Sequence, residues 1–253
     1  MNILKAITKR ILNKYGYAII NFNKPQPLPV DFREEEIDII RAVEPYTMTS
    51  SERIYALIQA VKYLVTSDIP GDMVECGVWR GGSILAIAKT LLNLGSMDRN
   101  LYLFDTFEGM PKPGGVDVSF NGTKAIQLFD EQKVTDDSSA LCYASLEEVK
   151  DIVFSSGYDK TKIHFIKGKV EDTLPDNAPE VISLLRLDTD WYESTMCELV
   201  HLFPRLSPGG VIIIDDYGHW LGARQATDEY LAQNNVRLLL NRIDYSGRIG
   251  VKI

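Results

Sequence analysis

The chain has 253 residues, of which 45% are hydrophobic and 25% are charged, so its composition predicts a globular protein with a substantial buried core. A formal net charge of -8 argues against general nucleic-acid binding, and no apolar run approaches the ~20 residues that span a bilayer. The N-terminus lacks the long apolar stretch of a secretory signal, and three scattered cysteines without metal-ligand spacing predict reduced thiols in the cytoplasm.

The first thirty residues differ in charge from the rest of the chain, because they contain five basic residues and no acidic one. Apolar residues recur at helical spacing within 1–20, which predicts a basic amphipathic helix. That helix could contact a membrane surface, or it could pack on the body of the protein or on a second subunit, and we expect a homodimer. The prolines of "NKPQPLPV" predict a linker, so we divide the chain into residues 1–30 and a domain of 31–253.

Segments typical of strands and helices alternate through this domain. The predicted strands are 73–76, 101–104, 162–166, 183–187 and 211–214, and the predicted helices are 49–65, 82–94, 145–156 and 193–206. Thr49 with Glu52, and Ser145 with Glu148, form capping-box patterns at two helix starts. The alternation predicts an α/β fold with a doubly wound, mostly parallel sheet. The ending "RLLLNRIDYSGRIGVKI" predicts a hairpin, so the sheet has seven strands and its last strand is antiparallel.

The segment 108–144 is rich in Gly and Asp and has little periodicity. Connections of this length in a compact domain are uncommon and usually act as lids or binding loops, although disorder is an alternative. Its apolar residues favour a segment that folds over a ligand. These residues are Phe120, Ile126, Leu128, Phe129 and Tyr143.

Parallel sheets bind ligands at the carboxyl ends of their strands, so the residues after each strand are candidates. "ECGVWRGGS" follows the first strand, and its glycines permit a tight turn before a helix, which alone is a weak signal. Asp105 ends the second strand, where an acid can accept hydrogen bonds from both ribose hydroxyls of a nucleoside. Together they predict an adenosine-type ligand, although Asp105 could instead cap a turn.

Acidic residues also follow the fourth and fifth strands. Asp188, Asp215 and Asp216 should meet at one edge of the sheet, and three carboxylates there suit a hard divalent cation, Mg²⁺ above all. The alternative is that one Asp caps a helix and the other is solvated. Asp190 could cap the helix that opens at Trp191 or Tyr192. His219 follows the acidic pair and could contact a substrate or act as a base.

Six ordered motifs resemble the macrocin O-methyltransferase family over roughly residues 45–253. The motifs are "MVECGVWRGGS", "LFDTFEGMP", "VEDTLP", "LRLDTDWYEST", "LSPGG" and "IIIDDYGHW" with the "AR", "A" and "DEY" that follow. The resemblance implies a Rossmann-like class I methyltransferase fold that uses S-adenosylmethionine and Mg²⁺ to methylate sugars. The first thirty residues lie outside these motifs.

The resemblance also implies a role for individual residues. The implied cofactor-binding residues are Tyr46, Thr47, Met48, Ser50, Glu75, Gly77, Gly81, Ser83, Asp105, Gly168, Glu171 and Asp172. Asp188, Asp215 and Asp216 match the metal ligands, and Asp188 also matches the general base. We therefore expect methyl transfer to a sugar hydroxyl of a saccharide or glycosylated natural product. The alternatives are a catechol-type phenol as acceptor, or a non-catalytic nucleoside-binding module.

Overall fold

A computed structural model describes residues 8, 12, 14–17 and 28–253. The chain divides into two units, Met1–Phe32 and Arg33–Ile253. In the first unit, the backbone amides of Tyr15 and Tyr17 both donate to the carbonyl of Leu12, at 3.0 and 2.9 Å. Most of the predicted amphipathic helix lies outside the described residues, as does its predicted contact with a membrane or a second subunit. Every helix in the described ranges is too short or too polar to cross a membrane.

The second unit alternates strands and helices, as the sequence predicts. The strands of its sheet are β1 (Asp72–Cys76), β2 (Leu101–Asp105), β3 (Ile163–Lys167), β4 (Ile182–Leu187), β5 (Leu206–Ile214), β6 (Asn241–Arg242) and β7 (Arg248–Val251). The α-helices are α1 (Glu34–Val43), α2 (Ser51–Thr66), α3 (Gly82–Asn93), α4 (Ala125–Glu131), α5 (Leu146–Phe154), α6 (Val170–Thr173), α7 (Tyr192–Leu202) and α8 (Leu221–Gln233).

The described sheet has seven strands in the order β3-β2-β1-β4-β5-β7-β6, and β7 runs antiparallel to β5. This confirms the predicted fold class, including the antiparallel strand. The order reverses between β1 and β4, which is where open α/β sheets bind ligands. Side chains of β4 alternate between the two faces of the sheet, so Leu185 and Leu187 pack with Leu199 of α7 while Arg186 points to the other face.

Two local predictions need correction. The N-cap of α2 is Ser50, whose hydroxyl accepts a hydrogen bond from the Arg53 amide, so the capping pattern assigned to Thr49 is displaced by one residue. Helix α7 is not capped by Asp190. The Tyr192 amide donates instead to Asp117 Oδ1 at 2.9 Å, and Asp190 has a left-handed φ of 68°.

The segment 108–144 is folded and contains α4. Met110 and Ala125 pack against Trp191 and Trp220, and the Trp191 indole donates to the carbonyl of Pro111 at 3.0 Å. Of the residues that favoured a folded lid, Phe129 is buried, whereas Phe120 and Tyr143 are exposed. The segment is thus attached to the domain beside α7 and α8, and its closure over a ligand stays a prediction.

Candidate active site

A cavity of about 320 Å³ opens at the carboxyl ends of the parallel strands. Residues at the carboxyl end of each of β1 to β5, or directly after it, line the cavity, among them Gly77, Asp105, Gly168, Asp188 and Asp215. Because these strands end together, residues distant in sequence are brought to one place. The volume is at the lower end of the range of small-molecule sites.

Gly77 allows β1 and β4 to approach each other closely at the base of the cavity. Its φ is +81°, and a Cβ atom there would lie 1.9 Å from the carbonyl oxygen of Asp188. Real Cβ contacts are much longer than this, so the position requires glycine for both its conformation and its space. This close contact therefore fixes the turn after β1 relative to Asp188, the residue that follows β4.

Asp105 binds the glycine-containing turn directly. Its Oδ2 accepts hydrogen bonds from the amides of Val78 and Trp79, at 2.7 and 3.1 Å, and its Oδ1 accepts from the Phe107 amide at 2.7 Å. Burial raises the pKa of Asp105, while these amides act in the opposite direction. The capping role considered for Asp105 is therefore present. The carboxylate also lines the cavity, and its contact with a ribose stays a prediction.

Most of the predicted cofactor-binding residues line the cavity. These are Tyr46, Thr47, Met48, Gly77, Ser83, Asp105, Gly168 and Glu171. Four others do not line it. These are Ser50, Glu75, Gly81 and Asp172.

Each of these four has a different environment. Ser50 caps α2 and donates to Asp244 Oδ2 at 2.7 Å. Glu75 is fully buried and forms an ion pair with Arg186. Gly81 is the N-cap of α3 with a φ of +84°, and a Cβ there would lie 2.8 Å from Val153. Asp172 is exposed in the short helix α6.

Three carboxylates meet beside the cavity, after β4 and β5. Asp188, Asp215 and Asp216 each offer a ligand oxygen, and these oxygens lie within 4.8 Å of one another. The convergence follows from the pairing of β4 with β5, which places Leu187 beside Ile214. Carboxylate oxygens are the donors that Mg²⁺ prefers, so the residues present fit such an ion. Metal binding itself stays a prediction.

The protonation of this cluster is strongly perturbed. Burial, assisted by neighbouring carboxylates, raises the pKa of Asp188 and Asp216 well above the usual range. Burial likewise raises the pKa of Asp190 and Glu75 to about 7. A cation bound among these groups would favour their ionised forms.

Two arginines that the sequence reasoning missed accompany the acids. Nη1 of Arg186 lies 2.7 Å from Asp188 Oδ2, and its Nη2 lies 2.8 Å from Asp215 Oδ1. Arg53 pairs with Asp215 and, through Nε at 2.9 Å, with Asp244 Oδ2. A charged residue inside the apolar run "SLLRL" was an available signal for Arg186, since buried charges need partners. Arg53 follows a helix cap and carries no comparable signal.

His219 lines the cavity next to the acidic cluster. Its Nδ1 lies 3.2 Å from the Tyr245 hydroxyl, and its ring contacts those of Phe120 and Trp220. Burial and the nearby Arg53 lower the pKa of His219, so the imidazole is neutral at neutral pH. A neutral imidazole in this position is able to accept a proton.

The turn between β6 and β7 also reaches the cluster. The Ser246 hydroxyl donates to the backbone carbonyl of Asp215 at 2.6 Å, while Asp244 holds Arg53 and Tyr245 contacts His219. The C-terminal hairpin thereby supports the acidic residues from the side opposite β4.

A sequence profile described as macrocin-O-methyltransferase (TylF) matches residues 5–249. The chain belongs to the macrocin O-methyltransferase family. It is therefore an S-adenosylmethionine-dependent O-methyltransferase, which favours catalysis over the alternative of a non-catalytic nucleoside-binding module. The match begins far before residue 45, so it includes part of the N-terminal segment that the motifs left out.

Individual relatives of this O-methyltransferase agree with the family. It is 33% identical to the 8-demethyl-8-(2,3-dimethoxy-alpha-L-rhamnosyl)-tetracenomycin-C 4'-O-methyltransferase of Streptomyces olivaceus and 32% identical to the demethyldecarbamoylnovobiocin O-methyltransferase of Streptomyces niveus. Each alignment covers 80% of this chain and 74% of the relative. The structure of the O-methyltransferase NovP is similar, with a TM-score of 0.72, 30% identity and 82% of each chain covered.

Proposed function

We propose that this methyltransferase transfers a methyl group from S-adenosylmethionine to a sugar hydroxyl of a glycosylated natural product, with the help of Mg²⁺. The proposal of a metal ion is supported by the three carboxylates whose oxygens lie within 4.8 Å of one another. The sugar is supported by the tetracenomycin relative, whose name places the reaction on a rhamnosyl group. The catechol-type alternative has no such support among the relatives described above.

Asp188, Asp215 and Asp216 would hold the Mg²⁺. When bound, such an ion lowers the pKa of an oxygen ligand and so makes a poorly acidic hydroxyl a better nucleophile. The chain's own contribution is to align the donor and the acceptor and to receive the proton. Alignment alone can account for roughly 7–11 kcal/mol of a barrier.

Three side chains are candidates for accepting the proton. Burial raises the pKa of Asp188 well above its usual range, which favours proton uptake, while the ion pair with Arg186 acts in the opposite direction. His219 is neutral at neutral pH because burial lowers its pKa. Asp190 also faces the cavity, and burial raises its pKa to about 7, which is close to the ideal for proton transfer at physiological pH.

The opening of the cavity is suited to an apolar group attached to the sugar. The side chains of Met48, Phe120 and Tyr245 are 63%, 59% and 53% exposed, although they are large and apolar. Met48 and Tyr245 line the cavity, and the Phe120 ring packs 5.9 Å from that of Tyr245. Exposed apolar groups beside a polar site favour the binding of an apolar ligand surface.

The location and the assembly of the enzyme belong to this proposal as well. We place the enzyme in the cytoplasm because its cysteines are free. A homodimer formed through the N-terminal segment is expected. Sedimentation of the full chain and of a chain lacking residues 1–28 tests it, and a monomer in the first case would contradict it.

The central experiment compares wild type with Asp216→Ala and with Asp136→Ala. Asp136 is an exposed acid of the 108–144 segment and serves as the matched control. Calorimetry measures S-adenosylmethionine binding with and without Mg²⁺, and formation of S-adenosylhomocysteine measures turnover on a panel of vicinal-diol glycosides and catechols. We expect Asp216→Ala to bind the cofactor and lose turnover, while the control keeps both. Unchanged turnover in Asp216→Ala would refute the metal role, and turnover on catechols alone would refute the sugar acceptor.

A further inference from the structure

We propose that Arg186 is a positioning residue that holds Asp188 and Asp215 in the arrangement in which a divalent cation binds. This inference rests on the proposed function, because it assumes the metal site. It assigns a specific task to a buried charge that the resemblance to known methyltransferases leaves without one.

Arg186 occupies the centre of the sheet. It lies on β4 directly beside Glu75 of β1 and Ile213 of β5, and only 2% of its surface is exposed. A guanidinium at such a position loses its hydration, so it must be compensated by acids and hydrogen bonds. Burial lowers its pKa, but the surrounding carboxylates more than offset this and keep it charged.

The guanidinium contacts one acid within β1 and one acid directly after each of the adjacent strands β4 and β5. Nη1 pairs with Glu75 and lies 2.7 Å from Asp188 Oδ2. Nη2 lies 2.8 Å from Asp215 Oδ1 and donates to the Thr49 hydroxyl at 3.1 Å. A planar guanidinium offers its donors in a fixed fork, so it fixes the directions of its partners as well as their charge.

The arrangement explains how the acidic cluster stays together. Three carboxylates within 4.8 Å repel one another, and Arg186 pairs with two of them at once. Arg53 pairs with Asp215 from another side. Among the ion pairs of the described residues none includes Asp216, which leaves that carboxylate free of a guanidinium.

Removal of Arg186 would change cation affinity in opposite directions for a purely electrostatic role and for a positioning role. If Arg186 acted only through its charge, its removal would relieve the repulsion between the guanidinium and the bound cation, and cation binding would tighten. If it positions the ligands, its removal loosens binding, and loss of a residue that orients metal ligands typically costs 10–100-fold in affinity. The direction of the change therefore separates the two effects.

The experiment measures Mn²⁺ binding by electron paramagnetic resonance, with Mg²⁺ as competitor. The main variant is Glu75→Gln/Arg186→Met, which removes both partners of the buried pair and avoids leaving Glu75 uncompensated. Arg186→Lys keeps the charge but lacks the planar fork. The matched control is Arg99→Met, because Arg99 is a half-buried arginine that donates to the carbonyls of Gly71 and Ile69 away from the cavity.

We expect the double variant to raise the dissociation constant for Mn²⁺ by about 10–100-fold. Arg186→Lys should fall between it and wild type, and Arg99→Met should bind like wild type. If the double variant does not fold, Thr49→Val tests the same point, because it removes one acceptor of Arg186 and retains every charge. A several-fold weaker affinity is expected for it.

Unchanged or tighter Mn²⁺ binding in the folded variants would overturn the positioning role while leaving the metal site intact. Absence of binding by wild type would refute the metal part of the proposed function itself, together with this inference. Calorimetric binding of S-adenosylmethionine to each variant shows whether the donor site has changed independently of the metal site.

Discussion

Substitution of Gly77 by alanine should lower both stability and activity more than the same substitution at another glycine with a left-handed φ. The added Cβ would lie 1.9 Å from the carbonyl oxygen of Asp188 and 2.5 Å from its carbonyl carbon. The backbone of Asp188 must therefore move by about 1 Å or more, and a misplacement of that size near reacting groups can cost about 100-fold in rate. A left-handed φ adds about 1–2 kcal/mol for a residue with a Cβ, and overpacking adds about 1–3 kcal/mol.

Gly157→Ala is the matched control for this substitution. Gly157 has a φ of +82°, against +81° for Gly77, and a Cβ there would meet nothing within 4 Å. It should therefore show the conformational cost without the clash. Denaturant unfolding should give a loss for Gly77→Ala that exceeds that of the control by about 1–3 kcal/mol, and only Gly77→Ala should lose about 100-fold in kcat/KM. Equal losses of stability and activity in the two variants would refute the reasoning.

Three further predictions concern other parts of the domain. Burial raises the pKa of Glu198 well above its usual range, so the folded protein retains this proton to a higher pH than the unfolded chain does, and stability falls as pH rises through that interval. Glu198→Gln should therefore stabilise the protein more at about pH 8 than at about pH 5, by about 1.4 kcal/mol for each unit of pKa shift, and equal changes in Tm at both pH values would contradict this. Phe120→Ala should raise the KM for a glycoside about 2–10-fold without affecting S-adenosylmethionine binding, because an aromatic contact contributes about 0.5–1.5 kcal/mol, while Tyr143→Ala, an exposed aromatic of the same segment, should act as an inert control. Asp117→Ala removes the acceptor of the Tyr192 amide, so it should lower stability by about 0.5–2 kcal/mol in denaturant unfolding, and an unchanged midpoint would show that α7 needs no cap from this segment.

The central strands could be predicted almost to the residue. β1, β2, β3 and β4 each agree with their predicted ranges within one residue at either end, because a buried parallel strand requires a continuous apolar run. β5 extends five residues earlier than predicted, into "LSPGG", where Leu206 pairs with Ile182 ahead of a shift in register, and the residues between Leu206 and Val211 carry no apolar signal. The hairpin strand β6 is only two residues long, although the apolar residues before it suggested more.

The helix caps could not be predicted from neighbouring residues alone. Thr49 and Ser50 are adjacent hydroxyl residues and either could cap α2. Ser50 is the cap in the structure, and its hydroxyl also donates a hydrogen bond to Asp244, which lies 194 residues away in the chain. The cap of α7 likewise comes from Asp117, 75 residues before it. Such partners are set by tertiary packing, which no sequence window contains.

The acidic residues of the site could be located because they follow strands that end at one edge of the sheet. Their arginine partners could not be located by the same argument. Arg186 is inside a strand and Arg53 is on a helix, so neither occupies a strand end. The acids that repel one another thus follow from the strand pattern, whereas the arginines that compensate their charge are brought beside them by tertiary packing.

The turn between β6 and β7 has a consequence for the order in which the enzyme becomes competent during its synthesis. Ser246, Asp244 and Tyr245 support the acidic cluster, and the ribosome makes them after every other residue that lines the cavity. A nascent chain that ends before this turn lacks the Asp244 carboxylate that pairs with Arg53. Translation therefore has to pass this turn before the cluster gains its full support, which delays the completed site until the domain has emerged as a whole.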